Sequence, residues 1–491
     1  MNLDADAAYL VVKARDARFD GRLFVGVTST GIYCRPICRV RTPKRENCRF
    51  FATPAQAEAQ SFRPCLKCRP EIAPGPGLAW SVMDASRTLA RQAAEWLDAQ
   101  AASGEAPTLA ALAQRLGVSD RHLRRIFQAE HGVTPVQYLQ TRRLLMAKQL
   151  LTDTRMPVSQ VALASGFASL RRFNAAFAEN YRISPTRLRG DAPDDPAASP
   201  VDAITVSLGF RAPYDIDRLA RFLAQRAIPG IEHVDGLRIR RTLRAGVVAG
   251  AAGWIEAEFL PAASRVRLSF TPDWIASSAG VVSAVRRWLD LDATPQTIHA
   301  ALADLPGDEG LRLPGSLDTF ELAVRAVLGQ QVTVAAARTL AKRLVERFGV
   351  PIATPWPDVD RTFPEPQSIA LTPIERIAEL GIIRTRANAI IEIAKAWPRI
   401  EAQIAGRPAP EALIAALCEL PGIGPWTAHY IAMRAMSWPD AFPPNDVAVL
   451  KAMKQLFDTA SQREADATAA AWRPWRAYAV LRLWNSLETT A

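Results

Sequence analysis

The spacing of apolar and polar residues divides the chain into segments of two kinds. Residues 85–189 repeat apolar positions every three to four residues, which predicts amphipathic helices. Residues 201–275 mostly alternate apolar and polar positions, which predicts short strands, with a helix over 215–227. From residue 280 onward the helical spacing returns, broken by short turns that contain Pro and Gly. This order of segments predicts a multidomain α+β protein.

Three stretches interrupt these patterns and are candidate domain boundaries. They are rich in Pro, Gly or Asp, and they are PEIAPGPGLAW (70–80), GDAPDDPAASP (190–200) and, more weakly, LDATPQ (291–296). The second stretch has no apolar periodicity at all, so we expect it to be a linker.

The N-terminal stretch and the length of the apolar runs indicate the cellular compartment. The N-terminal stretch MNLDADAAYLVV carries acids where a signal peptide would be basic, and no apolar run approaches the length of a membrane span. We therefore expect a cytoplasmic protein without a membrane partner. Thiols stay reduced in that compartment, so clustered cysteines indicate metal binding or chemistry rather than disulfides.

The formal net charge of +11 is unevenly distributed along the 491 residues. Residues 1–190 hold 28 Lys and Arg against 15 Asp and Glu, whereas the remaining residues hold 32 against 34. A basic first part indicates a polyanionic partner, most simply nucleic acid. Charge alone does not distinguish DNA from RNA or from anionic lipid.

Four cysteines near the N-terminus form two closely spaced pairs. GIYCRPIC contains Cys34 and Cys38, and FRPCLKC contains Cys65 and Cys68. Two such pairs can fold onto one metal ion, and four thiolates suit tetrahedral Zn²⁺. The spacing by itself leaves open whether such an ion only holds a small domain together or also takes part in chemistry.

The other two cysteines are expected to have no chemical role. Cys48 lies outside the paired pattern and is expected to be a small, partly buried residue. Cys418 lies in the apolar run LIAALCELPG and is expected to belong to the core.

The strings GIYCRPICRVR, RENCRFF and FRPCLKC resemble the N-terminal domain of Ada-type DNA-repair proteins over roughly residues 5–72. The resemblance implies a zinc cofactor held by all four paired cysteines. It also implies that Cys34 attacks the methyl group of a methylphosphotriester and keeps it. A zinc-bound thiol is deprotonated at neutral pH and the thiolate is the nucleophile, so one residue can be both ligand and nucleophile. Arg41 and Arg63 are expected to contact DNA.

Residues 108–139 and 157–188 each predict a helix-turn-helix, in which a basic second helix follows a glycine turn. The expected caps and turns are Thr108, Gly117 and Ser119 in the first unit and Gly166 and Ser169 in the second. One such pattern could be a plain helical hairpin, but the duplicated pattern resembles AraC-type DNA-binding domains. A recognition helix contacts base edges through its N-terminal side chains. The side chains expected to contact promoter DNA are Arg121, Arg124, Arg171 and Arg172.

The segment LCELPGIGPWTAHYIAMRAM (417–436) predicts a helix–hairpin–helix. Gly422 and Gly424 allow close backbone approach, and free N–H groups at the next helix start, near Thr427, can hold a DNA phosphate. A tight turn without DNA contact is the alternative. Downstream, Asp446 precedes an apolar helix, where it could simply be an N-cap.

Residues 203–491 resemble AlkA-type 3-methyladenine DNA glycosylase II, through strings such as LRLPGSLDTFELAVRAVLGQQVTVAAARTLAKRL and LPGIGPWTA. The resemblance implies that Asp446 is the catalytic carboxylate and that Trp426, Tyr430 and Trp484 line the pocket for a flipped base. Electron-rich rings attract a cationic alkylated purine by about 0.5–2 kcal/mol. Core packing is the alternative role for aromatic residues, and it is the role expected of two others, Trp472 and Trp475.

Several positions depart from the related families. Gln331 stands where AlkA-type enzymes place an apolar DNA-inserting wedge, and Asn445 replaces their acidic neighbour of the catalytic residue. Trp426 stands where bifunctional glycosylases carry a Schiff-base lysine, so a monofunctional enzyme is expected. The chain has no Pro-Cys-His-Arg motif, so O6-methylguanine repair is not expected.

These patterns predict a monomeric DNA-repair protein that acts on alkylated and promoter double-stranded DNA. The rival interpretation is a transcription regulator whose C-terminal half binds damaged DNA without catalysis. The expected domains are a small α/β zinc-binding methyl-acceptor domain (1–75), an all-α double helix-turn-helix domain (84–190), a linker (191–200), a small antiparallel-sheet α+β domain (201–290) and an all-α helix–hairpin–helix glycosylase domain (291–491).

Overall fold

The computed structural model describes residues 4–75, 85–101, 108–154, 156–190, 203–248, 250–405, 409–459 and 461–488. The expected linker 191–200 lies outside these residues. The chain forms two compact units, Met1–Ala212 with Leu260–Ser283 and Pro213–Phe259 with Ala284–Ala491. The expected sheet domain 201–290 therefore contributes residues to both units. In the described part, no helix is both long and apolar enough to cross a membrane.

The helices of the described residues are, in chain order, α1 (Ala5–Ala14), α2 (Pro54–Ala59), α3 (Ala85–Ala101), α4 (Leu109–Arg115), α5 (Asp120–His131), α6 (Pro135–Asp153), α7 (Val158–Ala164), α8 (Leu170–Tyr181), α9 (Pro185–Gly190), α10 (Ile216–Arg226), α11 (Ser278–Trp288), α12 (Pro295–Ala301), α13 (Thr319–Leu328), α14 (Val334–Phe348), α15 (Pro366–Ala370), α16 (Ile374–Ala378), α17 (Arg384–Ala405), α18 (Pro410–Cys418), α19 (Pro425–Ala435), α20 (Val447–Phe457), α21 (Gln462–Ala469) and α22 (Arg476–Glu488). The strands are β1 (Phe24–Val27), β2 (Ile32–Cys34), β3 (Cys48–Phe51), β4 (Arg63–Pro64), β5 (Ile204–Gly209), β6 (Glu232–Asp235), β7 (Arg238–Leu243), β8 (Gly253–Leu260) and β9 (Arg265–Phe270).

A four-stranded sheet in the order β3-β1-β2-β4 organises the N-terminal region. Strands β2 and β4 are parallel, and Tyr33 pairs with Pro64. The residue that follows each of these two in the chain is a cysteine, so this register places Cys34, the last residue of β2, beside Cys65, which follows β4. The Cys65 N–H donates to the Tyr33 carbonyl at 3.0 Å, which fixes the path of the chain after β4.

The helical region that follows contains the two expected helix-turn-helix units, α4–α5 and α7–α8. Gly117 and Gly166 lie in the turns at φ +66° and +76°, conformations that other residues rarely adopt. The three expected caps are confirmed, because each side-chain oxygen accepts from a backbone N–H in the first helical turn. These caps are Thr108, Ser119 and Ser169.

Buried ion pairs join the zinc-binding region to α6. Lys148 on α6 pairs with Glu71, and both side chains are almost fully buried. Arg69, directly after Cys68, pairs with Glu71 at 3.0 Å and with Asp153 at the end of α6. Removing one partner of a buried pair leaves an uncompensated charge, so the two regions should depend on each other for stability.

Glu58 makes a second link to α6, and its ionisation should make the first unit sensitive to pH. Tyr33 and Thr141 donate to its carboxyl oxygens at 3.0 and 2.9 Å, and burial raises its pKa to about 8. The folded state therefore holds a proton that the unfolded chain releases above its ordinary pKa of 4.5. The contribution of Glu58 to the free energy of unfolding should be complete at acidic pH. It should decline by roughly 1 kcal/mol per pH unit as the pH rises toward 8.

The Glu58→Gln variant should lose this part of the pH dependence, because its amide does not ionise. Urea denaturation at pH 6 and at pH 9, monitored by a signal from the first unit, would measure how the free energy of unfolding depends on pH in the variant and in the wild-type protein. Equal pH dependence in both proteins would contradict the assignment.

The strands beyond residue 203 are antiparallel within each unit. In the first unit β5 pairs with β9, and in the second unit β7 lies between β6 and β8. The run 237–259 lies within the stretch expected to form strands, and the structure divides it between β7 and β8. Strand β6 was missed because its residues, EHVD, lack apolar alternation.

The second unit packs its helices around one apolar core. Trp472 and Trp475 belong to this core, as expected, and are 1% and 6% exposed. The expectation for Cys418 is wrong, because this residue is exposed at the end of α18. Its neighbours Ala416 and Leu417 are the residues that face the core. Cys48 in the first unit is fully buried rather than partly buried.

Candidate functional site

The four paired cysteines converge on one point in the first unit. Cys34, Cys38, Cys65 and Cys68 are all buried, and their sulfur atoms lie within 4.8 Å of one another. Four sulfurs bound at about 2.3 Å around a tetrahedral ion would be roughly 3.8 Å apart, so the cluster fits Zn²⁺ with small adjustments. When bound, zinc would keep the thiols deprotonated.

Arg35 supports the cluster from its buried side. Its backbone N–H donates to the Cys68 sulfur at 3.3 Å, and its guanidinium donates to the Cys68 carbonyl at 3.1 Å. The same guanidinium pairs with buried Asp20. Hydrogen bonds among the thiols act in opposite directions: they lower the pKa of Cys38 to about 7 and also lower the pKa of Cys65, but they raise the pKa of Cys34 and of Cys68. The thiols by themselves therefore keep Cys34 protonated, and a bound zinc ion would be needed to make it a thiolate.

Asp446 lies at the centre of a second site, in the second unit, and accepts three hydrogen bonds. One comes from the Val449 N–H at 2.8 Å, which makes Asp446 the N-cap of α20. The other two come from the indole nitrogens of Trp426 at 2.7 Å and Trp484 at 3.2 Å. The cap and the site residue are thus the same carboxylate, which is 6% exposed.

Asn445 explains how the chain presents this carboxylate. It has a left-handed backbone conformation with φ +55°, which asparagine tolerates better than most residues. Its N–H donates to the Gln462 side chain at 2.7 Å. The turn before α20 is therefore held from both sides.

The three expected aromatic residues lie together, and each is partly exposed. The rings of Trp426 and Tyr430 are stacked, with centroids 5.4 Å apart and planes 5° from parallel. Trp484 lies 6.4 Å from Tyr430 at an angle of 45°. Partly exposed aromatic faces beside a carboxylate can stack on a planar ring and stabilise positive charge next to it.

Two residues of this site were missed by the sequence analysis. The Arg434 guanidinium donates to the Tyr430 hydroxyl at 2.9 Å and lies 5.2 Å from the centre of the Phe222 ring. Arg434 could have been found from its spacing, since it follows Tyr430 by one helical turn. Phe222 comes from α10, and only the tertiary fold brings it here.

The helix–hairpin–helix is formed by α18 and α19. Gly422 lies in its turn at φ +80°, where an added Cβ would be 2.8 Å from the Cβ of Ala389. Gly424 is the N-cap position of α19 and has open space around it. No side chain among the described residues caps this helix start, so its N–H groups can bind an anion. Thr427 is buried, so any DNA contact there would come from its backbone.

Gln331 is exposed at the tip of the turn before α14 and has a left-handed conformation, φ +52°. The preceding Gln330 ties this turn to the hairpin, because its amide donates to the Gly422 carbonyl at 3.0 Å and to the Thr427 hydroxyl at 3.1 Å. Arg386 donates to the Gln330 carbonyl. The hydrogen bonds of Gln330 therefore fix the turn from which Gln331 projects.

The arginines expected to contact DNA lie in the first unit. Arg63 is partly exposed, and the others are exposed on the surface. Arg124 is paired with Asp120 at 3.0 Å, which reduces its availability. The exposed residues are Arg41, Arg121, Arg124, Arg171 and Arg172.

Four family models match successive parts of the chain. They are described as the metal-binding domain of Ada (7–71), a helix-turn-helix domain (112–191), the AlkA N-terminal domain (205–318) and an HhH-GPD superfamily base excision DNA repair protein (324–477). The expected resemblances and the zinc cofactor are confirmed. Fold and sites define a DNA-binding repair protein with an Ada-type methyltransferase domain and a DNA glycosylase domain.

Relatives share this arrangement in whole or in part. A probable bifunctional transcriptional activator/DNA repair enzyme AlkA of Mycobacterium tuberculosis is 36% identical and covers 99% of this chain and 97% of its own length. The chain belongs to this family of bifunctional transcriptional activators and DNA repair enzymes. The DNA-3-methyladenine glycosylase 2 of Escherichia coli is 33% identical over 57% of this chain and 96% of its own length. The bifunctional transcriptional activator/DNA repair enzyme Ada of Escherichia coli is 34% identical over 34% of this chain and 43% of its own length.

Proposed function

We propose that this chain excises alkylated bases such as 3-methyladenine, accepts methyl groups from methylphosphotriesters and activates transcription in response. The observation that carries the glycosylase assignment is the buried Asp446 carboxylate, held by two indole N–H groups beside partly exposed aromatic rings. A residue needed only as a cap would not require these two further donors. The rival interpretation is a C-terminal half that binds DNA without catalysis, and it assigns no role to these two indole donors.

Base excision would begin with rotation of the damaged nucleotide out of the stack. The hairpin at Gly422 would hold the DNA backbone, and Gln331 would enter the vacated space. The flipped base would stack on Trp426 and Tyr430. As the glycosidic bond breaks, the base leaves with the bonding electrons and positive charge develops on the sugar. The Asp446 carboxylate would stabilise that charge and position the water that adds to C1′.

Methyl transfer would occur at the four-cysteine cluster. The Cys34 sulfur attacks the methyl carbon, a C–S bond forms, and the C–O bond to the phosphotriester breaks, leaving an ordinary phosphodiester. Zinc, when bound, keeps the sulfur deprotonated and therefore nucleophilic. The thioether product cannot return the methyl group, so each chain accepts one. We further propose that the protein is a cytoplasmic monomer.

The test is incubation of the purified chain with DNA that contains single alkylated bases, with detection of the released base. Running the assay across several lesions would also define substrate preference. Release of a base supports a glycosylase, whereas binding to every lesion without any release would establish the rival interpretation.

The glycosylase should leave intact abasic sites. Trp426 has no amine, so it cannot form an imine with the sugar as a Schiff-base lysine does. Borohydride reduction during the reaction should therefore trap no covalent protein–DNA adduct. An 8-oxoguanine glycosylase/lyase serves as the positive control, and a trapped adduct would contradict the expectation.

Methylation of Cys34 should strengthen promoter binding. Four thiolates and one Zn²⁺ carry a formal charge of −2, and conversion of one thiolate to a thioether makes the site less negative by one charge near the DNA backbone. We expect an increase in affinity of at least several-fold at low salt that shrinks as salt screens the interaction. A salt titration of promoter binding, before and after exposure to methylphosphotriester DNA and with Cys34→Ser as control, measures it. Equal affinities in low salt would mean that Cys34 repairs without signalling.

A further inference from the structure

A small cavity in the first unit lies beside the zinc-binding region and is lined by an excess of positive charge. Its volume is about 70 Å³, and its charged lining residues are Arg35, Arg211, Arg265 and Asp20. Arg35 and Asp20 belong to the region that matches the metal-binding domain of Ada, whereas Arg211 and Arg265 belong to the region that matches the AlkA N-terminal domain. The cavity therefore needs both regions in one chain, and the proposed repair chemistry does not use it.

Two of these arginines are buried and held in fixed positions. Arg35 is 5% exposed, and its Nε donates to the Asp20 carboxylate at 2.7 Å. Arg211 is 1% exposed, and its Nε donates to the Asp20 backbone carbonyl at 3.0 Å. Asp20 thus anchors both guanidinium groups, one through its side chain and the other through its backbone. Its single carboxylate leaves the charged lining of the cavity two positive charges in excess.

Arg265, the first residue of β9, brings the third positive charge. It is partly exposed, and no group among the described residues accepts a hydrogen bond from its guanidinium or forms an ion pair with it. Burial lowers the pKa of Arg265 most, and the like charges of Arg69 and Arg35 lower it further. The carboxylates that oppose this shift, Asp153 and Glu71, already pair with Arg69. A partly buried cation without an ion-pair partner is unfavourable, and an anion in the cavity would compensate its charge.

The cavity is accessible to a small ion. Three of its other lining residues, Ala17, Ala212 and Ala263, are exposed, and their short side chains leave the approach open. A cavity needs about 10–15 Å³ to admit a water molecule, so this one has room for a small ion but not for a nucleoside. Water alone could fill the space, but water would not compensate the excess charge of the lining.

We propose that this cavity binds a phosphate group through the guanidinium groups of Arg35, Arg211 and Arg265. A guanidinium presents N–H donors in a planar fork that matches two oxygens of a phosphate. The same chemistry serves a free phosphate ion and a backbone phosphate of bound DNA. The bound group connects the zinc-binding region to the ends of β5 and β9, so it should stabilise the first unit. This site goes beyond the proposed function, because neither base excision nor methyl transfer requires it.

Calorimetric titration of the full chain with inorganic phosphate, at constant ionic strength set with chloride, tests the site. The wild-type chain should bind phosphate saturably, and Arg265→Gln should weaken the affinity about tenfold or more because charge-assisted hydrogen bonds are lost. Ala263→Glu should also weaken it, since this variant places a carboxylate at the mouth of the cavity and leaves the three arginines in place. Lys13→Met, which removes an exposed positive charge on α1, should leave the affinity unchanged. Unchanged zinc content in each variant shows that the zinc-binding region is still folded.

Repeating the titration in the presence of a saturating unmodified DNA duplex distinguishes the two sources of the phosphate group. If a backbone phosphate occupies the cavity, the duplex should abolish phosphate binding, and Arg265→Gln should weaken duplex binding more than Lys13→Met does. If the site serves a free ion, the duplex should leave phosphate affinity unchanged. Absence of saturable phosphate binding by the wild-type chain, or equal affinities in wild type, Arg265→Gln and Ala263→Glu, would overturn the proposal.

Discussion

Asp446→Asn should abolish base excision, with a loss on the order of 10³-fold or more, while binding to abasic DNA stays nearly intact. The loss is expected because the developing charge on the sugar would meet a neutral amide instead of a carboxylate. The amide oxygen can still cap α20 through the Val449 N–H. Its NH₂ group would then take the place of Oδ2 and face the indole N–H of Trp426, so that hydrogen bond would be lost.

Single-turnover excision of 3-methyladenine and binding to an abasic duplex would be measured side by side. Asp215→Asn is the matched control, because Asp215 caps α10 by accepting from the Arg218 N–H at 3.0 Å and lies outside the pocket. The control should keep its excision rate. If Asp446→Asn remains within about tenfold of wild type, Asp446 is a helix cap and the catalytic group has to be sought elsewhere.

Cys65→Ala should release the zinc ion and unfold the N-terminal sheet region. Zinc held by four cysteines contributes about 10–16 kcal/mol in small zinc-dependent domains, and this region has only a small apolar core besides the cluster. The Glu71–Lys148 pair would then lose its buried environment, so the α6 region should also be destabilised. The residues proposed for base excision belong to the second unit, so base excision should change little.

Metal analysis of the purified variant, compared with about one zinc ion per wild-type chain, measures the effect. Cys48→Ala is the matched control, because Cys48 is a buried cysteine of the same sheet that lies outside the cluster. It should retain zinc. Stoichiometric zinc in Cys65→Ala would disprove the proposed ligand set.

Local sequence determined the features that depend on residue type and short spacing. Metal ligation requires particular side chains, so two cysteine pairs were enough to indicate zinc. Helix caps and glycine turns follow from backbone chemistry within a few residues, and Ser119, Ser169 and Gly422 occupy the roles that were expected of them. The family resemblance added roles for Cys34 and Asp446, which remain proposals.

The tertiary structure decided features that depend on residues far apart in the chain. An apolar run does not reveal which helix face is buried, and for that reason Cys418 was wrongly expected in the core. Trp426 and Trp484, 20 and 38 residues away, donate to the same Asp446 carboxylate that caps α20, so a capping role does not exclude the proposed role in base excision. Arg434 is held beside Tyr430 by the carbonyls of a loop about 120 residues earlier in the chain. Hydrogen bonds are directional and short-ranged, so only folding could establish which of these groups meet.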